Sequence, residues 1–365
     1  MPAPNPYSKL PRHAYWRTSV ARAAKSGGAL TDVWQPKFGI TRQDSILTTG
    51  SCFAQHISRA LVSAGFAWHQ AERAPFGLNE TTAKKFGYGI FSFRTGNIYT
   101  TRMLTQLLAW AINPDSQDRE VWEEDSAFFD PIRPQIEPGG FETVEELFMA
   151  RAATLAAIRQ GVEKSSVFVF TLGLTEGWVN SRTGLCYSSC PGTMGGQFDD
   201  SQHMFENLQY PDVLEDLEKI RDQLHLINPD IKMLLTVSPV PLAATAAPGQ
   251  HVLPATMRSK SILHAAAGYF QSLHDDVDYF PSYEIVSHPG LNRQMFDDDR
   301  RSVLPEGVDF VMQHFLQGLG VDNAQNTAHA PEEDTRIRDA VSKAAHADDV
   351  VCEEIELEKY NEDRD

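Results

Sequence analysis

Apolar and polar positions along this 365-residue chain follow two alternating rhythms. Short, nearly uninterrupted apolar runs stand at "SILTT" (45–49), "SVFVFTL" (166–172), "IKMLLTV" (231–237) and "VDYFPSYEIV" (277–286). Runs of this length, rich in β-branched and aromatic residues, predict strands buried on both faces. Between them, apolar residues recur at three- and four-residue spacing in "FAQHISRALVSAG", "TTRMLTQLLAWAI", "ELFMARAATLAAIRQGV", "DVLEDLEKIRDQLHLINPD" and "RSKSILHAAAGYFQSLHDD". That spacing predicts amphipathic helices, two of which run into a glycine, Gly65 and Gly161, read as their ends. Buried strands alternating with helices predict an α/β fold of three layers, a mostly parallel sheet with helices on both faces.

The pattern also divides the chain. Residues 1–43 are basic and irregular, with a short helical stretch in "RHAYWRTSVARAAK", and read as an arm packed on the main domain of residues 44–320. The Pro- and acid-rich stretch at about 113–142 reads as an insertion over the rim of the sheet. Residues 321–365 carry 14 acidic and 5 basic side chains and read as a solvated helix or disordered extension rather than a site.

Charge and composition narrow the partners. A formal net charge of -17 opposes binding to nucleic acid or an anionic membrane, which needs a basic surface. No apolar run reaches eighteen residues, and the N-terminal "MPAPNPYSKLPRHAYWRTSV" places prolines and charges where a secretory signal has its apolar segment. Four scattered cysteines agree with a reducing compartment, and the expected location is the cytoplasm. Cys186 and Cys190 in "CYSSC" lack a second pair or a nearby His, so no metal site is expected, and the absence of Walker and Rossmann glycine patterns indicates no nucleotide cofactor.

Candidate chemistry gathers where the predicted strands end, since ligands of open parallel sheets bind beyond the carboxyl ends of the strands. At the first junction, "TTGSCF", Gly50 allows a tight turn that sets Ser51 and Cys52 at the start of a helix. Free amides and the helix dipole stabilise an anion there, whether a thiolate or an oxyanion. A cysteine so placed is a credible nucleophile, with His56 four residues on as its partner. The alternative is a capping serine beside a small packing cysteine. Further polar groups follow the other strands: Gly173, Thr175 and Glu176 in "TLGLTEGW", Glu284 and His288 in "SYEIVSHPG", and Gly96 with Asn97 in "RTGNIYTTR". Glu176 and Glu284 can orient a base or bind a substrate hydroxyl, or can pair with an arginine such as Arg94 or Arg102. Lys260 in "RSKSIL" can meet an anionic substrate or stand on the surface.

"TTGSCFAQHISRAL" resembles the motif that names the GSCFA family, a group related to the SGNH/GDSL hydrolases. "GNIYTTRMLTQLL", "TLGLTEGW", "CPGT", "LLTVSPVPL", "SKSIL" and "YFPSYEIV" resemble family segments in family order. The resemblance implies a flavodoxin-like, SGNH-type sheet with a nucleophile after the first strand. Laying "GSCFA" on Gly-Asp-Ser-Phe-Ala sets Cys52 on the nucleophilic serine and Ser51 on the aspartate, which favours Cys52. The implied oxyanion hole uses Gly50 and Gly173, with Thr175 in place of the usual asparagine and Asn97 as a second donor. The implied Asp-x-x-His pair falls on Asp299-Arg300-Arg301-Ser302, so a serine stands where the histidine belongs. His288 or His56 is then the expected substitute. The expected function is an esterase or acyltransferase acting on an acylated carbohydrate or small ester; the competing expectation is a catalytically silent binding or scaffold protein.

Overall fold

The computed structural model describes residues 5–26, 30–291, 293–321, 357 and 360. Among the described residues ten strands are formed: β1 (Ser45–Gly50), β2 (Ala67–Trp68), β3 (Trp122–Glu124), β4 (Ala127–Phe129), β5 (Val167–Leu172), β6 (Glu176–Asn180), β7 (Cys186–Tyr187), β8 (His203–Asn207), β9 (Lys232–Val237) and β10 (Val277–Phe280). The α-helices are α1 (Trp16–Ser19), α2 (Ala21–Ser26), α3 (Ala54–Ser63), α4 (Glu80–Lys85), α5 (Thr101–Ile112), α6 (Val144–Lys164), α7 (Tyr210–Ile227), α8 (Val252–Leu273), α9 (Ser282–Ser287) and α10 (Pro305–Gly318).

The central sheet runs β2-β1-β5-β9-β10, with every neighbouring pair parallel. Numbering these five strands along the chain gives the order 2-1-3-4-5, the flavodoxin-like arrangement, whose direction of winding reverses between β1 and β5. Side-chain alternation in β5 shows why three layers form. Val167 and Val169 join one core with Ile57 and Leu61 of α3 and Val311 and Phe315 of α10. Phe168 and Phe170 join the other, with Ile158 of α6, Leu217 of α7 and Leu263 of α8. Each strand is apolar on both sides because both sides are covered. Leu30, Trp34 and Ile40 also belong to the first core, and Trp34 stacks on Phe315 at 5.6 Å.

The structure departs from the sequence-based expectation in three places. The run "VDYFPSYEIV" is not one strand: β10 stops at Phe280, Pro281 cannot continue the ladder, and Ser282–Ser287 turn into α9. Gly161 does not end α6, which continues to Lys164. A side chain at Gly161 would meet Ala71 and Phe93 at 2.9 Å, so the glycine permits close packing of the helix. A second, antiparallel sheet, β7-β6-β8, follows β5 and was not signalled by the hydrophobic pattern.

The 113–142 stretch holds the β3–β4 hairpin and is pinned to α6 by a buried carboxylate. Asp130 receives Arg133 Nε at 2.8 Å and Arg151 Nη2 at 2.7 Å. Arg133 reaches on to the Arg94 carbonyl and to Thr154 Oγ1. Burial drives the Asp130 carboxyl upward, but the two guanidinium groups outweigh it and hold it below the usual carboxylate range.

The expectation about the acidic tail lies outside the described residues, except for Val321, Leu357 and Tyr360. No helix among the described residues is long and apolar enough to cross a membrane.

Candidate functional site

The point where the sheet reverses its winding is built from the ends of β1 and β5 at close quarters. Gly50 adopts φ +129°, a conformation other residues resist, and a Cβ there would fall 2.7 Å from the Thr171 amide nitrogen. Ser51 N–H donates to the Thr171 carbonyl at 3.0 Å, and Ile98 N–H donates to the Gly50 carbonyl at 2.8 Å. Gly173 lies against the same turn: a Cβ there would stand 3.0 Å from Ser51 Cβ and 2.9 Å from the Tyr99 carbonyl oxygen. Gly50, Ser51, Gly173 and the backbone around Asn97, fully buried, therefore do come together.

Ser51 is 2 % exposed, and its hydroxyl has no hydrogen-bond partner among the described residues; the hydroxyls of Thr49 and Thr171 share that condition. A buried polar atom without a partner carries a desolvation penalty of about 1–3 kcal/mol. Cys52 is 4 % exposed.

The helix terminus offers fewer amides than expected. The N–H groups of Ala54, Gln55 and His56 donate to the carbonyls of Ser51, Cys52 and Phe53, because the chain enters α3 through a tight turn rather than a side-chain cap. Gly173 N–H, the implied oxyanion donor, is taken by the Tyr99 carbonyl at 3.1 Å. Thr175 donates its hydroxyl to Asn207 Oδ1 at 2.8 Å, so in this conformation that hydroxyl proton is already committed.

Each of the two expected substitute bases has local contacts of its own. His56 lies edge-on to Phe53, and burial, helped by the nearby Arg59 charge, pushes its imidazole down to about 3. His288 is exposed, packs edge-on to Trp16 and accepts the Gly290 N–H at 2.9 Å. Asp299 and Ser302 are hydrogen-bonded to each other at 2.6 Å in an exposed turn, so the Asp-x-x-Ser pair is formed, but as a local turn. Burial raises the Asp299 carboxyl, while hydrogen bonds from the Ser302 side chain and the Arg301 and Ser302 amides bring it below the usual range.

Among the described residues, neither glutamate forms an ion pair with Arg94 or Arg102. Glu284 meets His264 Nε2 at 2.9 Å and accepts from Tyr279 OH, and this hydrogen bond raises the His264 imidazole despite its partial burial. Glu176 accepts from Thr245 Oγ1 at 2.8 Å, and burial raises its carboxyl. Arg94 pairs instead with Glu72 and Glu137, and Arg102 with Asp216 and Glu206.

Two features differ from or were missed by the motif reading, the first being Lys260, which does not stand on the surface. Lys260 is 1 % exposed and donates Nζ to the Gly173 carbonyl at 2.6 Å. Its position was available from periodicity, because Thr256, Ser259, Lys260, Leu263, Ala266, Ala267 and Phe270 form the buried stripe of α8. The other is a cavity of about 250 Å³ beside the switch point, which includes Tyr99, Leu174 and Glu176 in its lining. Its other walls include the antiparallel sheet, the 188–194 loop, the 242–246 segment and Met103 of α5, and β6 and β8 are too short to announce themselves in the sequence. No group of three or more potential metal ligands occurs among the described residues.

The sheet runs in 2-1-3-4-5 order, with Ser51 and Cys52 following Gly50 at its switch point. The GSCFA family profile matches residues 45–315, and the chain belongs to that family. No curated protein and no solved structure matches it.

Proposed function

We propose that this protein is an SGNH-like esterase or acyltransferase that acts on an acylated carbohydrate or small ester, with the Ser51–Cys52 pair supplying the nucleophile. The observation that carries this reading is the buried, unpartnered Ser51 hydroxyl at the sheet's switch point, wedged between Gly50 and Gly173. A fold retains such an atom at a cost in stability, and reactive centres are where that cost is repaid in chemistry. Ser51 is better supported than Cys52, because it touches the Gly173 segment directly. In this reading Lys260, held on the Gly173 carbonyl, takes the base role that the histidines leave open, as serine–lysine pairs do in other hydrolases.

One observation favours the second reading, a silent binding protein on the same fold. Ser51 and Cys52 are both closed off from solvent, and no described imidazole is hydrogen-bonded to Ser51. The acyl-transfer reading requires the turn to open when substrate binds.

A panel of acetylated sugars and aryl esters, assayed with the native chain and with Ser51→Ala, Cys52→Ala and Lys260→Met, separates the two. Turnover that is lost in Ser51→Ala supports the proposal. Absence of turnover, or turnover unchanged in both Ser51→Ala and Cys52→Ala, assigns the chain to the second reading.

A further inference from the structure

Helix α6, away from the switch point, is buried along one side only. Leu147, Leu155, Ile158 and Val162 face the interior, whereas Met149, Ala152, Ala153, Ala156, Arg159 and Gln160 are exposed. Met149 keeps 70 % of its surface in water. Beside it, the first half of the helix and the 117–119 segment border a groove of about 550 Å³, lined by Gln117, Val144, Glu145, Phe148, Met149 and Ala152 together with Arg119. The Arg119 guanidinium is taken up over the Phe148 ring, 4.6 Å from its centroid.

Two polar groups of this groove define what fits it. Gln117 Oε1 is closed off from solvent without a hydrogen-bond partner among the described residues, although Nε2 of the same amide donates to the Pro114 carbonyl at 2.9 Å. Glu145 is exposed and forms no ion pair among the described residues. A buried acceptor calls for a donor, a carboxylate for a cation, and the apolar floor for a surface that packs closely. The matching occupant carries small apolar residues followed by a cation and an amide. The exposed second half of α6 has that composition: Ala153 and Ala156, then Arg159 and Gln160. Arg159 donates Nη1 to the Ile112 carbonyl at 3.2 Å and makes no ion pair among the described residues.

We propose that two copies of this chain pair through α6, antiparallel, about a two-fold axis between Ala152 and Ala153, so that each groove receives the second half of the partner's α6. At 1.5 Å of rise per residue, Met149 and the partner's Ala156 stand at the same height, about 5 Å from the axis, a large side chain against a small one. Glu145 lies about 11 Å from the axis and the partner's Arg159 about 10 Å on the same side, so the two charges meet. Alanines at the crossing let the helix axes approach to about 8 Å. The antiparallel arrangement also sets the start of each helix beside the end of the other, where the macrodipoles attract. Because the patch meets its own copy, the contact closes as a dimer and does not propagate.

Sedimentation of the full chain across micromolar concentrations tests this. A reversible rise in mass towards twice the 40.7 kDa of one chain is expected. Ala153→Glu sets like charges on either side of the axis and is expected to weaken the dimer at least tenfold, with thermal unfolding of the monomer unchanged because the position is exposed. Glu145→Arg and Arg159→Glu are each expected to weaken it severalfold, and the double variant to return to within about twofold of the native affinity. A chain that stays monomeric throughout, a dimer indifferent to Ala153→Glu, or a double variant no tighter than its parents overturns the proposal. None of these readouts depends on turnover, so failure of the acyl-transfer reading is a separate result.

Discussion

Gly50 and Thr171 face each other across the β1–β5 ladder so closely that only a hydrogen fits at the Gly50 Cα. That contact brings the last residue of β1 against the backbone of β5 and delivers Ser51 to the Gly173 turn. Gly50→Ala meets both a positive φ and backbone atoms that cannot yield. A loss of about 3 kcal/mol or more is expected in urea denaturation. A change within about 0.5 kcal/mol would show that the two strand ends are not held in this register.

The Asp130 site makes a second prediction, about stability rather than chemistry. Asp130→Asn leaves Arg133 and Arg151 buried against a neutral group, and breaking a buried pair from one side costs about 3–5 kcal/mol. Because the Asp130 carboxyl is held below its unfolded value, the network's contribution is present above the ordinary aspartate range and fades as pH falls through the lowered folded value. Native protein should therefore lose stability in acid more steeply than Asp130→Asn. Parallel pH profiles for the two would contradict the assignment.

His56 is expected to act as an acid liability rather than a catalytic base. Its folded-state value of about 3 lies below the ordinary 6.5, so between these two limits the unfolded chain binds a proton that the folded chain refuses. Stability is full above about pH 6.5 and declines as pH falls towards 3. Substituting His56→Gln should flatten urea midpoints measured from pH 7 to pH 4, while leaving any ester turnover at pH 7 in place. A turnover loss matching that of Ser51→Ala would instead restore His56 to the site.

The layered α/β architecture was legible because each buried strand is apolar on both sides. "SVFVFTL" can only be a strand covered twice, and Phe168 and Val169 indeed enter opposite cores. The switch-point turn was legible too, since a glycine between a buried strand and an amphipathic helix marks a backbone constraint. What stayed hidden depends on tertiary placement. Thr175 reads as a donor until Asn207 arrives from β8, and His288, open in the sequence between a base and a surface residue, is exposed beside Trp16. Glu176 and Glu284 read either as groups facing a base or substrate or as partners of Arg94 or Arg102, and those arginines are claimed by acids from other segments. Pro281 marked the break in "VDYFPSYEIV", a local signal outweighed by the apolar residues on either side.

The central claim, that the turn after Gly50 carries a nucleophile, is tested most directly by trapping its acyl adduct. Native protein and Ser51→Ala are quenched in acid after brief exposure to p-nitrophenyl acetate, digested with trypsin and mapped by mass. An acetyl group on the Gln43–Arg59 peptide of the native chain, absent from Ser51→Ala, is the predicted result. Acetylation confined to surface lysines, with that peptide unmodified in both proteins, would contradict the account.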